Sequence, residues 1–215
     1  MAGRGKPDVQ SRLTNAKILM LDSANNWVQA TDPVHFDKPK MAGVGPAISF
    51  ANETLKDEKN ITIGLIPCAW GGSPIKVWSP GATYFNAHPY DDAIRRTKIA
   101  MRKGVLKGII WHQGEADNDS LRSKKYLQEL VLLVQRFRKD LSNEKLPFVA
   151  GEIGYFNKRN FINAVINQLP GELPYTSVVT ASGLVDKGDH LHFDTPSARE
   201  LGKRYAHAMK LLQEK

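Results

Sequence analysis

Residues 106–119 read LKGIIWHQGEADND, an apolar run that passes directly into a polar loop. The run Leu106–Trp111 has the length and composition of a buried strand. Three further runs share this character: Ile61–Ile66, Pro147–Ile153 and Tyr175–Thr180. Helical patterns separate the four runs, which predicts parallel strands joined by helices in an α/β fold.

Five segments carry the apolar spacing of helices. They are Pro46–Asp57, His88–Lys103, Ser120–Leu141, Asn157–Gln168 and the C-terminal segment. In the last of these, we expect Thr195 to cap the helix and Pro196 to occupy its first position. Segment Ala16–Ala30 contains two short strand-like runs around Asn25-Asn26, which predicts a peripheral hairpin.

Composition predicts one compact domain over residues 1–215. No stretch reaches the roughly 18 consecutive apolar residues that a membrane span needs, so no membrane partner is predicted. The net charge of +8 would suit an anionic partner, but the basic residues are spread over predicted helix faces. They lack the interleaved aromatic residues of RNA-binding motifs. We therefore predict a solvated basic surface and no nucleic-acid partner, while the oligomeric state stays open.

The cellular compartment is also open from the sequence. The first 13 residues contain basic side chains but no apolar segment of the kind that secretory signals carry. The single cysteine, Cys68, excludes an intramolecular disulfide and indicates no redox compartment. A secreted or periplasmic location of the intact protein is among the alternatives.

Three unusual loops follow predicted strands. They are CAWGGSPIKVW (68–78), HQGEADND (112–119) and ASGLVDKGDHLHFD (181–194). In an open parallel sheet, functional loops lie beyond the carboxyl ends of the strands. We therefore expect the three loops to converge on one cleft.

The third loop contains a carboxylate and an imidazole three residues apart, in Asp189 and His192. Such an Asp can orient the His and stabilise its charge when it acts as a general base. The alternative is that both side chains only decorate a polar loop. His190 and His192 could also bind a metal with His112 or Glu115, but no closely spaced ligands complete a recognisable set, so no metal is predicted.

The other two loops offer hydrogen-bond donors for a developing negative charge. Gly71 and Gly72 allow a tight turn that presents a backbone N–H group, although an ordinary glycine turn is the alternative. The amide of Gln113 could complete an oxyanion hole, and Glu115 could hold neighbouring side chains in place.

Aromatic and nucleophilic side chains lie in the same loops. Trp78, Trp111 and His112 could form the apolar wall on which a sugar ring stacks, with Trp111 as core the alternative. Ser73 does not lie in a G-x-S-x-G elbow, so its hydroxyl is expected to cap the short turn that follows. Cys68 is expected to be a small buried hydrophobe and not a nucleophile.

Four segments occur together in a characteristic order: GVGPAISFA (43–51), GLIPCAWGGSPIKVW (64–78), KGIIWHQGEAD (107–117) and DHLHF (189–193). Together they resemble the carbohydrate acetylesterases of the SGNH-hydrolase superfamily, which include sialate O-acetylesterase-like and acetylxylan esterase-like proteins. The resemblance implies a three-layer α/β/α fold like that of flavodoxin, with a central parallel sheet. It also implies hydrolysis of acetyl esters on sugars without a metal or cofactor.

The resemblance further assigns roles to single residues. It makes Asp189 and His192 the acid and base of a catalytic triad, and Gly72 and Gln113 the oxyanion donors, with Glu115 in support. The expected partner is an acetylated carbohydrate substrate. A non-catalytic carbohydrate-binding remnant of the same fold is the alternative function.

The nucleophile of this family is the serine of a GQSNMAGRG-like segment that ends the first strand. The sequence MAGRG at residues 1–5 resembles the tail of that segment and omits the serine. A start at an internal methionine, or a chain cut there, would explain this; a relative without a nucleophile is the alternative. The first strand is interior in a flavodoxin-like sheet, so we expect a gap between the strands at Ile61 and Leu106, or another segment filling it. We also expect impaired activity.

Overall fold

The computed structural model describes residues 1–58, 60–156 and 160–214. Its six strands form two three-stranded sheets, ordered β2-β1-β3 and β4-β5-β6. The strands are β1 Ile18–Leu21, β2 Trp27–Gln29, β3 Ile63–Leu65, β4 Ile109–Trp111, β5 Phe148–Gly151 and β6 Thr176–Val179. All pairings are parallel except that of β1 with β2. The four predicted parallel strands are therefore present, each shorter than its apolar run.

The described residues contain six α-helices. They are α1 Ala47–Asp57, α2 Pro89–Ala100, α3 Ser123–Asp140, α4 Ile162–Ile166, α5 Leu169–Glu172 and α6 Thr195–Gln213. Of the helix predicted at 157–168, residues 157–159 lie outside the described residues, and the rest is shorter than predicted. Within the described part of the chain, no helix is both long and apolar enough to cross a membrane.

Helices cover both faces of the sheets, as the alternation along β5 requires. Phe148 and Ala150 pack in a core that includes residues of α2, α3, α4 and α5. Val149, which points to the opposite face, packs against α6. On that same side α1 packs against β1 and β3 and contacts α6. The three-layer α/β/α fold is confirmed.

A gap separates the two sheets. β3 pairs with β1 and β4 pairs with β5, while no described residue pairs with the facing edges of β3 and β4. A cavity of about 1000 Å³ lies between these edges, lined by β3, β4, α1 and α6. The two helices cross closely at Gly202, where a β-carbon would lie 2.0 Å from Ser49 Oγ. The gap is thus located where the sequence predicts it.

Two local predictions are wrong. The hairpin in 16–30 is not peripheral, because β1 also pairs in parallel with β3 and so lies inside its sheet. The runs are too short for their pattern to distinguish an edge strand from an interior one. The cap of α6 is Asp194, whose carboxylate accepts from Ser197 N–H at 2.8 Å, while Thr195 is the first helical residue. The Thr195 hydroxyl instead donates to the carbonyl of Lys6.

Two arginines that we expected on a solvated basic surface are structural. Arg96 on α2 is 5% exposed and donates to the carbonyl oxygens of Leu21 and Pro67, beside the carboxyl ends of β1 and β3. Arg138 on α3 is 7% exposed and donates to the carbonyl oxygen of Pro174. Both guanidinium groups satisfy backbone acceptors that the strand ends leave open.

Candidate active site

The three predicted loops meet at one end of the cavity between the sheets. Gly72, Gln113 and His192 all line this cavity, and they come from the loops after β3, β4 and β6. The loops after β3 and β4 are joined by a hydrogen bond from Gln113 Nε2 to the carbonyl of Ser73. The carboxyl ends of β3 and β4 therefore lie at the same edge, so these strands run in the same direction.

His192 and Asp189 form a close pair at the mouth of this cavity. The distance from His192 Nδ1 to Asp189 Oδ2 is 2.7 Å, and Lys187 Nζ lies 3.3 Å from the same oxygen. The other oxygen accepts from the backbone N–H groups of Leu191 and His192. Burial opposes ionisation of Asp189, but these donors outweigh it and lower the pKa of its carboxyl group. Asp189 is therefore a carboxylate at neutral pH.

This pairing selects one tautomer of the neutral imidazole. A carboxylate at Nδ1 holds the hydrogen on that nitrogen, which leaves a lone pair on Nε2. His192 borders the cavity, which Glu115 also lines. A neutral imidazole that a neighbouring Asp orients in this way can act as a general base.

Gly72 supplies a backbone donor on the opposite loop. Its φ of +78° lies in the left-handed region that favours glycine. Among the described residues, no acceptor is recorded for its N–H group, whereas the neighbouring Gly71 and Ser73 N–H groups are both bonded. The Gly72 N–H is thus available to a ligand oxygen.

Gln113, the second predicted oxyanion donor, has its amide fully engaged. Nε2 donates to the carbonyl of Ser73 at 3.0 Å and to Asp117 Oδ2 at 2.7 Å. Oε1 accepts from the hydroxyl of Tyr126 at 2.9 Å. An amide has two N–H hydrogens, so donation to an oxyanion requires one of these bonds to break. The catalytic role of Gln113 stays a prediction, and in this structure the side chain ties the loops after β3 and β4 together.

The two alternative nucleophiles are both held in other roles. Ser73 is 2% exposed, and its hydroxyl donates to the carbonyl of Trp70 and accepts from Trp78 Nε1. Burial raises the pKa of the Cys68 thiol to about 11, so the thiol is protonated at neutral pH. Neither side chain is paired with a base that could activate it among the described residues.

The aromatic side chains predicted to bind sugar are in the core. Trp78 and Trp111 are each 6% exposed and pack edge to face with ring centroids 5.0 Å apart. His112 is 7% exposed, its Nδ1 lies 3.2 Å from the Tyr205 hydroxyl, and burial holds its pKa well below the usual value. Little ring surface remains for a sugar, and substrate binding by these three residues stays a prediction.

Sequence reasoning missed a more exposed aromatic pair beside the site. The rings of Tyr84 and Phe85 are in edge contact with centroids 4.6 Å apart, and Phe85 is 78% exposed. A β-carbon built on Gly72 would lie 3.4 Å from the Tyr84 hydroxyl oxygen. The available signal was two consecutive aromatic residues in a loop that follows neither helix nor strand periodicity.

The N-terminal residues contribute directly to this region. The amine of Met1 donates to the carbonyl of His112, the residue after β4, at 2.8 Å. Burial lowers the pKa of this amine to about 6. Gly5 exchanges two backbone hydrogen bonds with Val44, which holds the MAGRG sequence against the start of α1. Residues 1–5 therefore lie where the carboxyl edge of the sheets meets the loops.

Glu115 also borders the site. Its Oε1 lies 3.8 Å from His112 Nε2, and desolvation raises the pKa of its carboxyl group. Within the described ranges, no three His, Cys, Asp or Glu side chains come together as metal ligands.

Comparison with known proteins gives the family. A family model for the carbohydrate esterases called sialic acid-specific acetylesterases matches residues 1–211. The chain belongs to this family. A "Probable carbohydrate esterase" of Arabidopsis thaliana is 33% identical over 90% of this chain and 75% of its own length. The human sialate O-acetylesterase is 32% identical, but over only 29% of this chain and 15% of its own length.

Solved structures agree with this assignment. The X-ray structure of the Arabidopsis protein has a TM-score of 0.86 at 33% identity and covers 98% of this esterase chain and 93% of its own. The crystal structure of NanS has a TM-score of 0.74 at 19% identity, covering 100% of this chain and 94% of that one. A carbohydrate acetylesterase from Xanthomonas citri has a TM-score of 0.73 at 19% identity, covering 95% of this chain and 51% of that one. The last two share the fold.

Proposed function

We propose that this carbohydrate esterase hydrolyses O-acetyl esters on sugars by serine chemistry, with a nucleophile delivered by an extended segment in the gap between the sheets. The observation that carries the proposal is the position of this gap. Within the described residues its two walls are strand edges without a partner strand, and at its carboxyl end lie the Gly72 N–H, which has no acceptor there, and His192, which Asp189 orients.

The gap suits one strand running parallel to β3 and β4. Each edge carries backbone donors and acceptors that a central strand would satisfy, and each buried group left unsatisfied costs about 1–3 kcal/mol. A strand joined to Met1 would reach the carboxyl edge beside His112, because the Met1 amine already bonds to that residue. A serine at the end of such a strand would stand between His192 and the Gly72 N–H.

The chemistry then follows the serine-hydrolase pattern. The serine oxygen attacks the acetyl carbonyl carbon while His192 Nε2 accepts the hydroxyl proton, and Asp189 stabilises the imidazolium. The Gly72 N–H donates to the oxyanion of the tetrahedral intermediate. His192 returns the proton to the sugar oxygen as that bond breaks, which leaves an acetyl-enzyme. Water, deprotonated by His192, releases acetate and restores the serine.

The substrate in this proposal is an O-acetylated sugar, with sialic acid first because the family description and the human relative both name it. Acetylated xylan is the alternative. Tyr84 and Phe85 supply the aromatic surface on which the sugar ring stacks, since an aromatic face can cover the apolar face of a sugar. The position of Tyr84 beside Gly72 would bring the ester to the oxyanion donor.

The test is an extended protein in which an apolar strand ending in Gly-Gln-Ser-Asn is fused to Met1. We expect it to release acetate from acetylated sialic acid, with the same extension carrying alanine for that serine as the inactive control. We expect the unextended chain to be almost inert, because removal of the nucleophile costs about 10⁶ in kcat. Robust turnover by the unextended chain that disappears with Ser73→Ala would contradict the proposal. Sugar binding without acetate release by the extended protein would favour the non-catalytic function.

A further inference from the structure

Two consecutive residues, Asp37 and Lys38, hold both polar groups of Gly71. Asp37 Oδ2 accepts from the Gly71 N–H at 2.8 Å, and Lys38 Nζ donates to the Gly71 carbonyl oxygen at 2.8 Å. These contacts span 34 and 33 residues of sequence, so they are not a consequence of a local turn. We call these two contacts the clamp, because Asp37 and Lys38 hold Gly71 although they lie outside the glycine loop.

The second contact determines where the next N–H group points. The Gly71 carbonyl and the Gly72 N–H belong to one peptide plane, and in a trans peptide they point in opposite directions. Lys38 lies on the carbonyl side, so the Gly72 N–H points away from it. This N–H has no recorded acceptor among the described residues, and Gly72 borders the cavity. The peptide is thus held in the orientation that an oxyanion donor needs.

One of the two clamp residues, Asp37, is itself held by a buried ion pair with Arg4. Asp37 Oδ2 also accepts from Arg4 Nη2 at 2.9 Å, and the two side chains are 1% and 6% exposed. A β-carbon on Gly71 would lie 2.3 Å from that Arg4 nitrogen, so the loop is packed directly against the pair. Because Gly71 is held at both its N–H and its carbonyl group, the peptide that follows it should reorganise little when charge develops next to it.

We propose that Lys38 is a positioning residue for the esterase reaction: its ammonium group orients the Gly71–Gly72 peptide and strengthens the Gly72 N–H as a donor. This rests on the proposed function, in which that N–H binds the oxyanion. A cation on the carbonyl oxygen polarises the whole peptide group, because linked hydrogen bonds strengthen one another. Loss of the cation would both weaken the donor and free the peptide to turn.

A different role for Lys38 is binding of an anionic group on the substrate. The two roles give different kinetics, because a positioning residue acts on every acetyl ester. Loss of the positioning role lowers kcat on a neutral aryl acetate and on acetylated sialic acid alike. Loss of an anion-binding role raises KM for the sialic acid substrate only.

The activity experiment uses the extended protein with Lys38→Met, Lys38→Arg and, as a matched control, Lys40→Met at an exposed neighbouring position. We expect Lys38→Met to lower kcat at least tenfold on both substrates, toward the 10²–10³ that loss of an oxyanion donor costs, with KM little changed. Lys38→Arg should recover most of the loss, because it keeps a cationic donor. Lys40→Met should stay within twofold of the parent protein. A Lys38→Met effect confined to KM for acetylated sialic acid would overturn the proposal.

A second measurement does not depend on turnover. In the chain as it stands, labelled with ¹⁵N-glycine, the amide proton of Gly72 should move upfield in Lys38→Met, because the peptide loses its polarising cation. The amide signals of Gly81 and Gly104, which have no neighbours within 4 Å of a β-carbon position, should not move. An unchanged Gly72 signal would refute the clamp. A shifted signal together with an inactive extended protein would retain the clamp and refute the proposed function.

Discussion

Replacement of Asp32 by Asn should stabilise the protein at neutral pH. Burial raises the pKa of this carboxyl group to about 6, against 3.8 for an ordinary Asp. The N–H of Gly45 donates to Asp32 Oδ1 over 3.5 Å, a long contact that compensates little. The charged form is therefore disfavoured in the folded state, and a neutral amide of the same shape should be tolerated better.

The magnitude follows from the difference between the two pKa values. The difference between a pKa of 3.8 and one of about 6 corresponds to about 3 kcal/mol at most. Because the folded pKa is the higher one, the folded state binds the proton more tightly. The stability that the protonated Asp32 gives the folded state is fully present below the unfolded pKa, and it is lost as the pH rises through the folded pKa. The advantage of Asp32→Asn should thus be small at pH 4, about 0.5 kcal/mol, and reach nearly its full size above pH 7.

The assay is urea unfolding of the parent and Asp32→Asn proteins at intervals from pH 4 to pH 8. Only the difference between the proteins is used, so groups that titrate in both cancel. Glu144→Gln at an exposed position is the control and should stay within about 0.5 kcal/mol of the parent at every pH. An Asp32→Asn effect that does not vary with pH, or a loss of stability at pH 7, would refute the reasoning.

Three further predictions concern Asp189, Phe85 and the crossing of α1 and α6 at Gly202. In the extended protein, Asp189→Asn should lower kcat for acetate release by about 10⁴, because Asn favours the wrong imidazole tautomer; a loss below tenfold would remove Asp189 from the triad. Phe85→Ala should raise KM for an acetylated sugar about two- to tenfold and leave KM for an aryl acetate unchanged, as expected for a stacking contact. Equal effects on both substrates would argue against stacking of the sugar on Phe85. Gly202→Ala should lower the free energy of unfolding by about 1–3 kcal/mol, because the new methyl group meets Ser49 Oγ at 2.0 Å. Gly171→Ala, with no neighbour within 4 Å, is the matched control in thermal melts, and equal melting temperatures for the two variants would contradict the packing argument.

The layers of the fold were predictable from local pattern because burial on both faces leaves a strong signal. The apolar run Leu106–Trp111 is followed directly by polar residues from His112 onward. The strand β4 ends at Trp111, the last residue of this run. The apolar spacing of the C-terminal segment likewise predicted a helix, and Leu201 and Tyr205 of α6 are buried. Such signals depend on neighbouring residues only, so no knowledge of the sheet order was needed.

Pairing and burial of polar groups were not predictable in the same way. The position of β1 inside its sheet depends on β3, more than 40 residues further along the chain. Arg96 is indistinguishable in sequence from the exposed Arg95 next to it, yet only Arg96 faces carbonyl groups at strand ends. The engaged amide of Gln113 depends in the same way on Tyr126 and on a distant loop. These contacts are set by the assembled fold.

Arg4, near the start of the chain, and the glycine loop at Gly71 and Gly72 are connected through Asp37. Asp37 Oδ2 accepts both from Arg4 and from the Gly71 N–H, and Arg4 lies three residues after Met1. A strand that fills the gap and continues into Met1 would restrain Arg4, and through Asp37 it would restrain the peptide that presents the Gly72 donor. The segment proposed to carry the nucleophile would therefore also order the N–H group that we propose to stabilise the oxyanion. We therefore expect the strand that completes the sheet to order the Gly71–Gly72 peptide at the same time.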